Sequence, residues 1–314
     1  MGRLYKLVIV FAVLLTGCEG ESVETLKVGT SLWPGYEPLF LGKRHGHFNN
    51  SEITFVEYPV PAGAVRALIN GSVQAATLTM DEVLKIKEVG VPIKVVLVIN
   101  ISEGGDVILA RQGIRSVKDL KGKRVANEGS VLAQYLLARA LEINGLSLAD
   151  IRSVRLSSTM HETVFTDGGI DAVVTYEPAK TKLIRNGAAQ IFSSADIPGE
   201  IVDVLVVTEK YLATHPEVVK DLVDGWYLSL ATFDSDKVGA ARIINERMHV
   251  GEAAVLASFD GMILPDRKRT NALLSGDDSH LYESLRGLAK TMRNHDLLKT
   301  NFDPVQLLNN DYVK

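Results

Sequence analysis

Tyr-Glu-Pro occurs twice, in "GYEP" at 35–38 and in "TYEP" at 175–178, each time where an apolar run gives way to a helix-like run. A phenol ring can stack on a flat ligand or face a cation. The neighbouring carboxylate can pair with a positive group. The same tripeptide is also good punctuation between a strand and a helix, so the pair alone leaves both readings open. "NEGSV" at 127–131 ends in a candidate helix start, where free backbone N–H groups favour an anion or a carbonyl oxygen. Ser130 could equally do no more than cap its helix. "MHET" places His161 beside Glu162, but no second histidine stands at helical spacing. His45 and His47 are two apart at a helix end, a poor zinc pattern. His161 therefore reads as a surface or ligand-contact histidine. The chain carries no nucleophile elbow, P-loop or dinucleotide fingerprint, and "SEGGD" at 102–106 lacks the spacing of a phosphate loop. Binding is expected rather than catalysis, with no catalytic residue, cofactor or metal.

The elements that must position these residues alternate from residue 26 onward. "LKVGTSL" reads as a strand and leads through "WPGYE" to a helix with Pro38 near its start and Gly46 at its end. "EITFVEY", "VQAATLT" and the almost wholly apolar "IKVVLVIN" read as further strands. Short helices separate them, one of them opened by the capping-box pair Thr79 and Glu82. The second stretch repeats the order: strands "GDVILA", "KRVANE", "IRSVRL", "IDAVVTY", "AQIFSS" and "VDVLVVT", with helices after Ser130, near 160–167 and from Pro178 to Gly187. Beyond 215 the pattern is mainly helical. Such alternation predicts an α/β fold with parallel sheets flanked by helices. Both Tyr-Glu-Pro copies then fall at the carboxyl end of a strand, where open sheets bind ligands.

At the N-terminus, Arg3 and Lys6 precede nine apolar residues, Leu7–Leu15, and then "LTGC". This predicts an export signal over 1–17, too short to span a membrane, with Cys18 in a lipobox as the lipidated first mature residue. An ordinary cleaved signal with a chance cysteine is the alternative. Cys18 is the sole cysteine, which excludes a disulfide framework and a cysteine-based zinc site. Removing 1–17 takes away two positive charges and no negative ones, moving the formal charge from −4 to −6. That balance argues against nucleic acid as a partner.

"VGTSLWPGYEPLFLGKRHGHF", "AGAVRALINGSVQAATLTMDEVL", "SVKDLKGKRVANEGSVLAQYLLARALEINGLSLADI" and "GGIDAVVTYEPAK" together resemble the periplasmic substrate-binding proteins of sulfonate, taurine, nitrate and thiamine-precursor ABC transporters. The likeness runs over residues 26 to 210 in order and spacing. It implies a type II periplasmic binding protein fold, with two α/β lobes, each a mainly parallel sheet flanked by helices, joined by two crossing hinge strands. Carried onto this chain, lobe one is 26–109 plus 206–314 and lobe two is 110–205. The crossings are expected near "VILAR" and "DVLVV".

With lobes so assigned, the expected ligand contacts are Trp33, Tyr36, Glu37, Thr79 and Asp81 from the first lobe. From the second come Glu128, Gly129, Ser130, Val131, Met160, His161, Tyr176 and Glu177. Acids at helix starts also complement the helix dipole without any ligand, so Glu37, Asp81, Glu128 and Glu177 carry both readings. No Lys or Arg lies in the expected turns, and burying a bare anion among carboxylates is costly. The lining therefore suits a neutral or cationic nitrogen-containing molecule, a pyrimidine or an amine, better than a sulfonate.

The resemblance implies a monomeric solute-binding protein, lipid-anchored in the periplasm or at the cell surface, that delivers its ligand to an ABC permease in the inner membrane. A sensory adaptor docking on a membrane receptor fits the same residues. A related thiamine-pyrimidine synthase branch uses a cysteine-rich, iron-linked motif, which this chain lacks after Cys18.

Overall fold

A computed structural model describes residues 25–49, 51–275 and 279–314, with the side chains of 279 and 280 left aside. The expected signal segment 1–17 and Cys18 lie outside the described residues. Eleven strands form two sheets among these residues. In chain order they are β1 (Leu26–Ser31), β2 (Ile53–Tyr58), β3 (Ala75–Thr79), β4 (Ile93–Ser102), β5 (Val107–Ala110), β6 (Arg124–Asn127), β7 (Arg152–Arg155), β8 (Ala172–Thr175), β9 (Ala189–Ser193), β10 (Val202–Thr208) and β11 (Met262–Ile263). The first sheet runs β11-β4-β10-β3-β1-β2 and the second β7-β6-β8-β5-β9.

Both sheets are mixed, in a specific way. β1, β2 and β3 pair in parallel, as do β6, β7 and β8. β10 runs antiparallel to β3 and β4, and β5 antiparallel to β8 and β9. Each of these two is the first strand after the chain passes from one sheet to the other. The passages fall at 103–106 and 194–201, so β5 belongs wholly to the second sheet and β10 wholly to the first. The expected crossings at "VILAR" and "DVLVV" are thus strands within a lobe, reached just after the crossing.

Local chemistry sets the element ends. Thr79 and Glu82 form the capping box of helix Met80–Glu88, with Glu82 Oε2 accepting the Thr79 N–H at 3.2 Å. Ser130 caps helix Val131–Ile143 by accepting the Ala133 N–H at 3.1 Å. Gly46 ends helix Glu37–His45 at φ 77°, a conformation glycine adopts without Cβ strain. β4 is buried along nearly its whole length, as its continuous apolar run predicts.

The C-terminal helices belong to the first lobe. Helix Pro216–Ser235 packs on helix Glu37–His45 and buries Trp226 completely. Helix Ser279–Asn294 packs on helix Met80–Glu88. The chain end then returns to the sheet, where the Asn309 N–H donates to the Val95 carbonyl at 2.9 Å.

Candidate functional site

Between the lobes lies a cavity with about 400 Å³ of empty space. The first lobe contributes Ser31, Trp33, Tyr36, Pro61, Thr79, Glu82 and Asp203, and the second Asp106, Glu128, Ser130, Leu132 and Tyr176. Most stand at carboxyl ends of parallel strands: Ser31 closes β1, Thr79 closes β3, Glu128 follows β6 and Tyr176 follows β8. Asp106 and Asp203 arrive differently, at the amino ends of β5 and β10. Because those strands run antiparallel to their neighbours, their beginnings point to the same side as the other strands' ends.

Aromatic rings from the two lobes meet across the cavity. Trp33 and Tyr176 lie edge to face, 6.1 Å between centroids at 79°. The Trp33 indole Nε1 is buried without a hydrogen-bond partner. The Tyr36 hydroxyl donates to Asp203 Oδ1 at 2.5 Å, and the Tyr176 hydroxyl to Glu128 Oε2 at 3.0 Å. Each Tyr-Glu-Pro tyrosine therefore hangs on a carboxyl group of its own lobe with its ring at the cavity.

The acids are the dominant electrostatic feature. Asp81, Glu82, Asp106 and Asp203 are all buried. Burial, above all, pushes Asp203 and Glu82 well above the usual carboxylate range, and the nearby Asp81 raises Glu82 further. It lifts Asp81 to about 7. Asp106 rises to about 6 for the same reason, against the pull of the Ser102 hydrogen bond and of Lys180. Ser102 Oγ donates to Asp106 Oδ2 at 2.7 Å and stands 2.8 Å from Ser194 Oγ, tying the two inter-lobe passages together. Lys180 Nζ donates to the Gly104 carbonyl at 3.0 Å. Lys180 is a cation beside the site that the expected turns did not include, although it ends the quoted "GGIDAVVTYEPAK".

The expected contacts separate into three groups. Trp33, Tyr36, Thr79, Glu128, Ser130 and Tyr176 line the cavity. Glu177 lines an adjoining mouth of about 700 Å³, where its carboxylate accepts the Thr181 N–H and hydroxyl at 3.1 and 3.0 Å. Six others lie elsewhere. Glu37 is fully buried in the first lobe, accepting from Arg247 Nε at 2.8 Å, with the Arg247 guanidinium 3.5 Å over the Phe40 ring. Burial raises Glu37 to about 7, against the attraction of Arg247. Asp81 is buried and does not line the cavity; the next residue, Glu82, lines it instead.

Gly129 turns its other side, its N–H donating to Asn127 Oδ1 at 2.9 Å. Val131 packs on the core while Leu132 takes the cavity position. Met160 is exposed at the end of a short turn. His161 is neither a surface nor a ligand histidine: it is fully buried, with Nδ1 3.1 Å from Thr175 Oγ1 and Nε2 3.0 Å from the Leu156 carbonyl. Burial lowers its pKa, so the neutral ring ties β8 to the segment after β7.

Sequence reasoning missed Ser31, Pro61, Glu82, Asp106, Leu132 and Asp203. For the two aspartates a signal existed: each is an acid at the head of an apolar strand that follows a passage between lobes, in "GDVILA" and "VDVLVV".

The NMT1/THI5 like family model matches residues 33–229, which include nearly all of the cavity lining. The chain belongs to this family. Among solved structures, the alkanesulfonate-binding protein SsuA from Xanthomonas axonopodis pv. citri, bound to MOPS, superposes with a TM-score of 0.77. That match is 19% identical and covers 91% of this chain and 98% of the other. The two-lobe α/β architecture is therefore that of periplasmic binding proteins. A putative aliphatic sulfonates-binding protein of Escherichia coli is 26% identical over 253 residues, 78% of this chain and 74% of that protein. A putative thiamine biosynthesis protein of Haemophilus influenzae is 26% identical over 144 residues, 45% of this chain and 46% of its own length.

Proposed function

We propose that this protein is an extracytoplasmic solute-binding protein. Its lobes close on a small nitrogen-containing molecule, cationic or neutral, and present it to an ABC permease in the inner membrane. The chain acts as a monomer held at the membrane by lipid on Cys18. One observation carries the ligand class: four carboxyl groups, those of Glu82, Asp106, Glu128 and Asp203, line one inter-lobe cavity, with the Lys180 ammonium beside Asp106. A ligand ammonium or ring N–H group supplies the positive charge or donors that such a lining lacks. Asp106, raised only to about 6, is mainly ionised at neutrality, so a sulfonate would add a second charge of the same sign in a setting shielded from water, where it is most costly. The names of the relatives point to sulfonates, and the charge of this lining opposes that extension. The edge-to-face Trp33–Tyr176 pair and the Tyr36 ring offer apolar and cation-facing surface to the same molecule.

The test is a thermal-shift panel of pyrimidines, small amines, flavins, sulfonates and nitrate against the purified protein. A ligand at about 100 times its Kd stabilises by roughly 2.7 kcal/mol, a readily measured rise in Tm. Hits among amines or pyrimidines that Glu128→Gln weakens support the reading. A sulfonate or nitrate hit overturns it.

A further inference from the structure

A second crevice lies behind the turn that carries Glu128 and Ser130, with about 760 Å³ of empty space. It has no part in the cavity described above. Its lining is part polar, from Asn127, Ser153, Gln134 and Arg155, and part apolar, from Leu137, Ala138, Leu148 and Leu297. His295 closes one side.

Asn127 and Gln134 are already engaged, Gln134 Nε2 donating to the Gly129 and Ser130 carbonyls at 3.1 and 3.2 Å, whereas the solvent-exposed Ser153 and Arg155 keep donors to spare. Asn127 Nδ2 donates to Ser153 Oγ at 3.2 Å and Asn127 Oδ1 accepts the Gly129 N–H, which leaves the Ser153 hydroxyl proton free to donate outward. Arg155 makes no hydrogen bond or ion pair among the described residues. Its stem lies against Gly129, where a Cβ would stand 2.5 Å from Arg155 Nε, so glycine makes room for the guanidinium. His295 Nε2 is buried without a hydrogen-bond partner and stands 3.9 Å from Glu142 Oε2. Glu142 itself is engaged by Arg139 Nη1 at 2.5 Å, which offsets the nearest negative charge. In the same lining, Leu148 leaves 45% of its surface exposed. A planar guanidinium fork beside a hydroxyl donor matches a carboxylate, and an exposed leucine shelf matches a short hydrocarbon chain.

We infer that this crevice is a second small-molecule site, taking an organic monocarboxylate whose head pairs with Arg155 and Ser153 and whose acyl chain lies on Leu148, Leu137 and Leu297. The site spans both lobes. Leu297 and His295 follow helix Ser279–Asn294, and that segment is pinned to the first lobe where Glu88 Oε1 accepts the Thr300 N–H at 3.0 Å. The crevice is therefore complete only in the arrangement of lobes described above.

The probe is butyrate, with inorganic phosphate as the comparison, titrated into isotope-labelled full-length protein and followed by methyl and indole NMR. Saturable shifts are expected at the Leu148 and Leu297 methyls, with the Trp33 indole signal unmoved. Arg155→Gln and Leu148→Glu should each weaken butyrate binding by about tenfold, and the second, at an exposed turn, keeps the fold intact as judged by the Trp226 indole signal. Phosphate binding as tight as butyrate, shifts centred on Trp33, or no saturation in the high millimolar range each overturn the assignment. None of these outcomes depends on which molecule fills the inter-lobe cavity, because the reporters Leu148 and Leu297 lie outside it.

Discussion

Asp106→Asn gives a direct reading of how much the buried acids of the cavity oppose folding. Asp106 is buried, and its carboxyl is raised from 3.8 to about 6, mainly by loss of water. The folded chain therefore holds this proton up to about pH 6, whereas the unfolded chain releases it near 3.8. Between those values the native state binds more protons than the unfolded state, so stability falls as pH rises. The contribution is fully present below the unfolded value and is lost as pH passes the folded one.

A shift of roughly two pH units corresponds to about 3 kcal/mol, of which about 2 kcal/mol is lost between about pH 4.5 and pH 7. An amide at this position has no proton to lose and can still accept from Ser102 Oγ. Urea unfolding at three pH values should show the variant and the parent close together near pH 4.5. By neutrality the variant should be about 2 kcal/mol the more stable of the two. Parallel pH profiles, or a parent that gains on the variant as pH rises, would refute the argument that desolvation dominates this carboxyl group.

Arg247→Met removes the partner of the fully buried Glu37 and should destabilise the first lobe by about 3 kcal/mol at pH 8. The loss should shrink near pH 5, where Glu37, already raised to about 7, is protonated in both proteins; denaturation at the two pH values checks this. His161→Ala deletes the bonds to Thr175 and Leu156 and leaves a cavity, for an expected loss of about 3 kcal/mol in unfolding experiments. Affinity for any cavity ligand should stay unchanged, because the ring does not reach the site. Gly129→Ala places a Cβ at φ 79° and against Arg155, and should lower Tm by an amount equivalent to about 2 kcal/mol. It should also weaken cavity ligands through the neighbouring Glu128 and Ser130, as a binding titration would show.

The alternation of strands and helices, the caps at Thr79 and Ser130 and the glycine stop at 46 were legible from the chain because each is set by residues within a few positions of one another. Period-two and period-3.6 patterns and capping chemistry are local physics. The tyrosines of both Tyr-Glu-Pro copies line the cavity for the same reason: a strand end is a local feature, and strand ends face the cavity. Their glutamates show where that reasoning stops. Glu37 and Glu177 share a tripeptide and a position after a strand, yet the first is buried against Arg247, some 210 residues away in sequence, while the second lines the mouth of the site. Asp81 and Glu82 are neighbours on one helix start, and which of them reaches the cavity follows from how that helix sits on its sheet.

Asp106 and Asp203 depend on strand direction. Only the pairing of β5 and β10 antiparallel to their neighbours brings the heads of those strands to the ligand side. What the sequence by itself determined is the set of elements, carried by residue type and short spacing; the two-lobe class and the candidate lining came through its resemblance to periplasmic binding proteins. Which carboxyl groups share one desolvated cavity, and so which of them hold protons near neutrality, was decided only by tertiary structure, because burial and through-space charge are properties of packing between segments far apart in the chain.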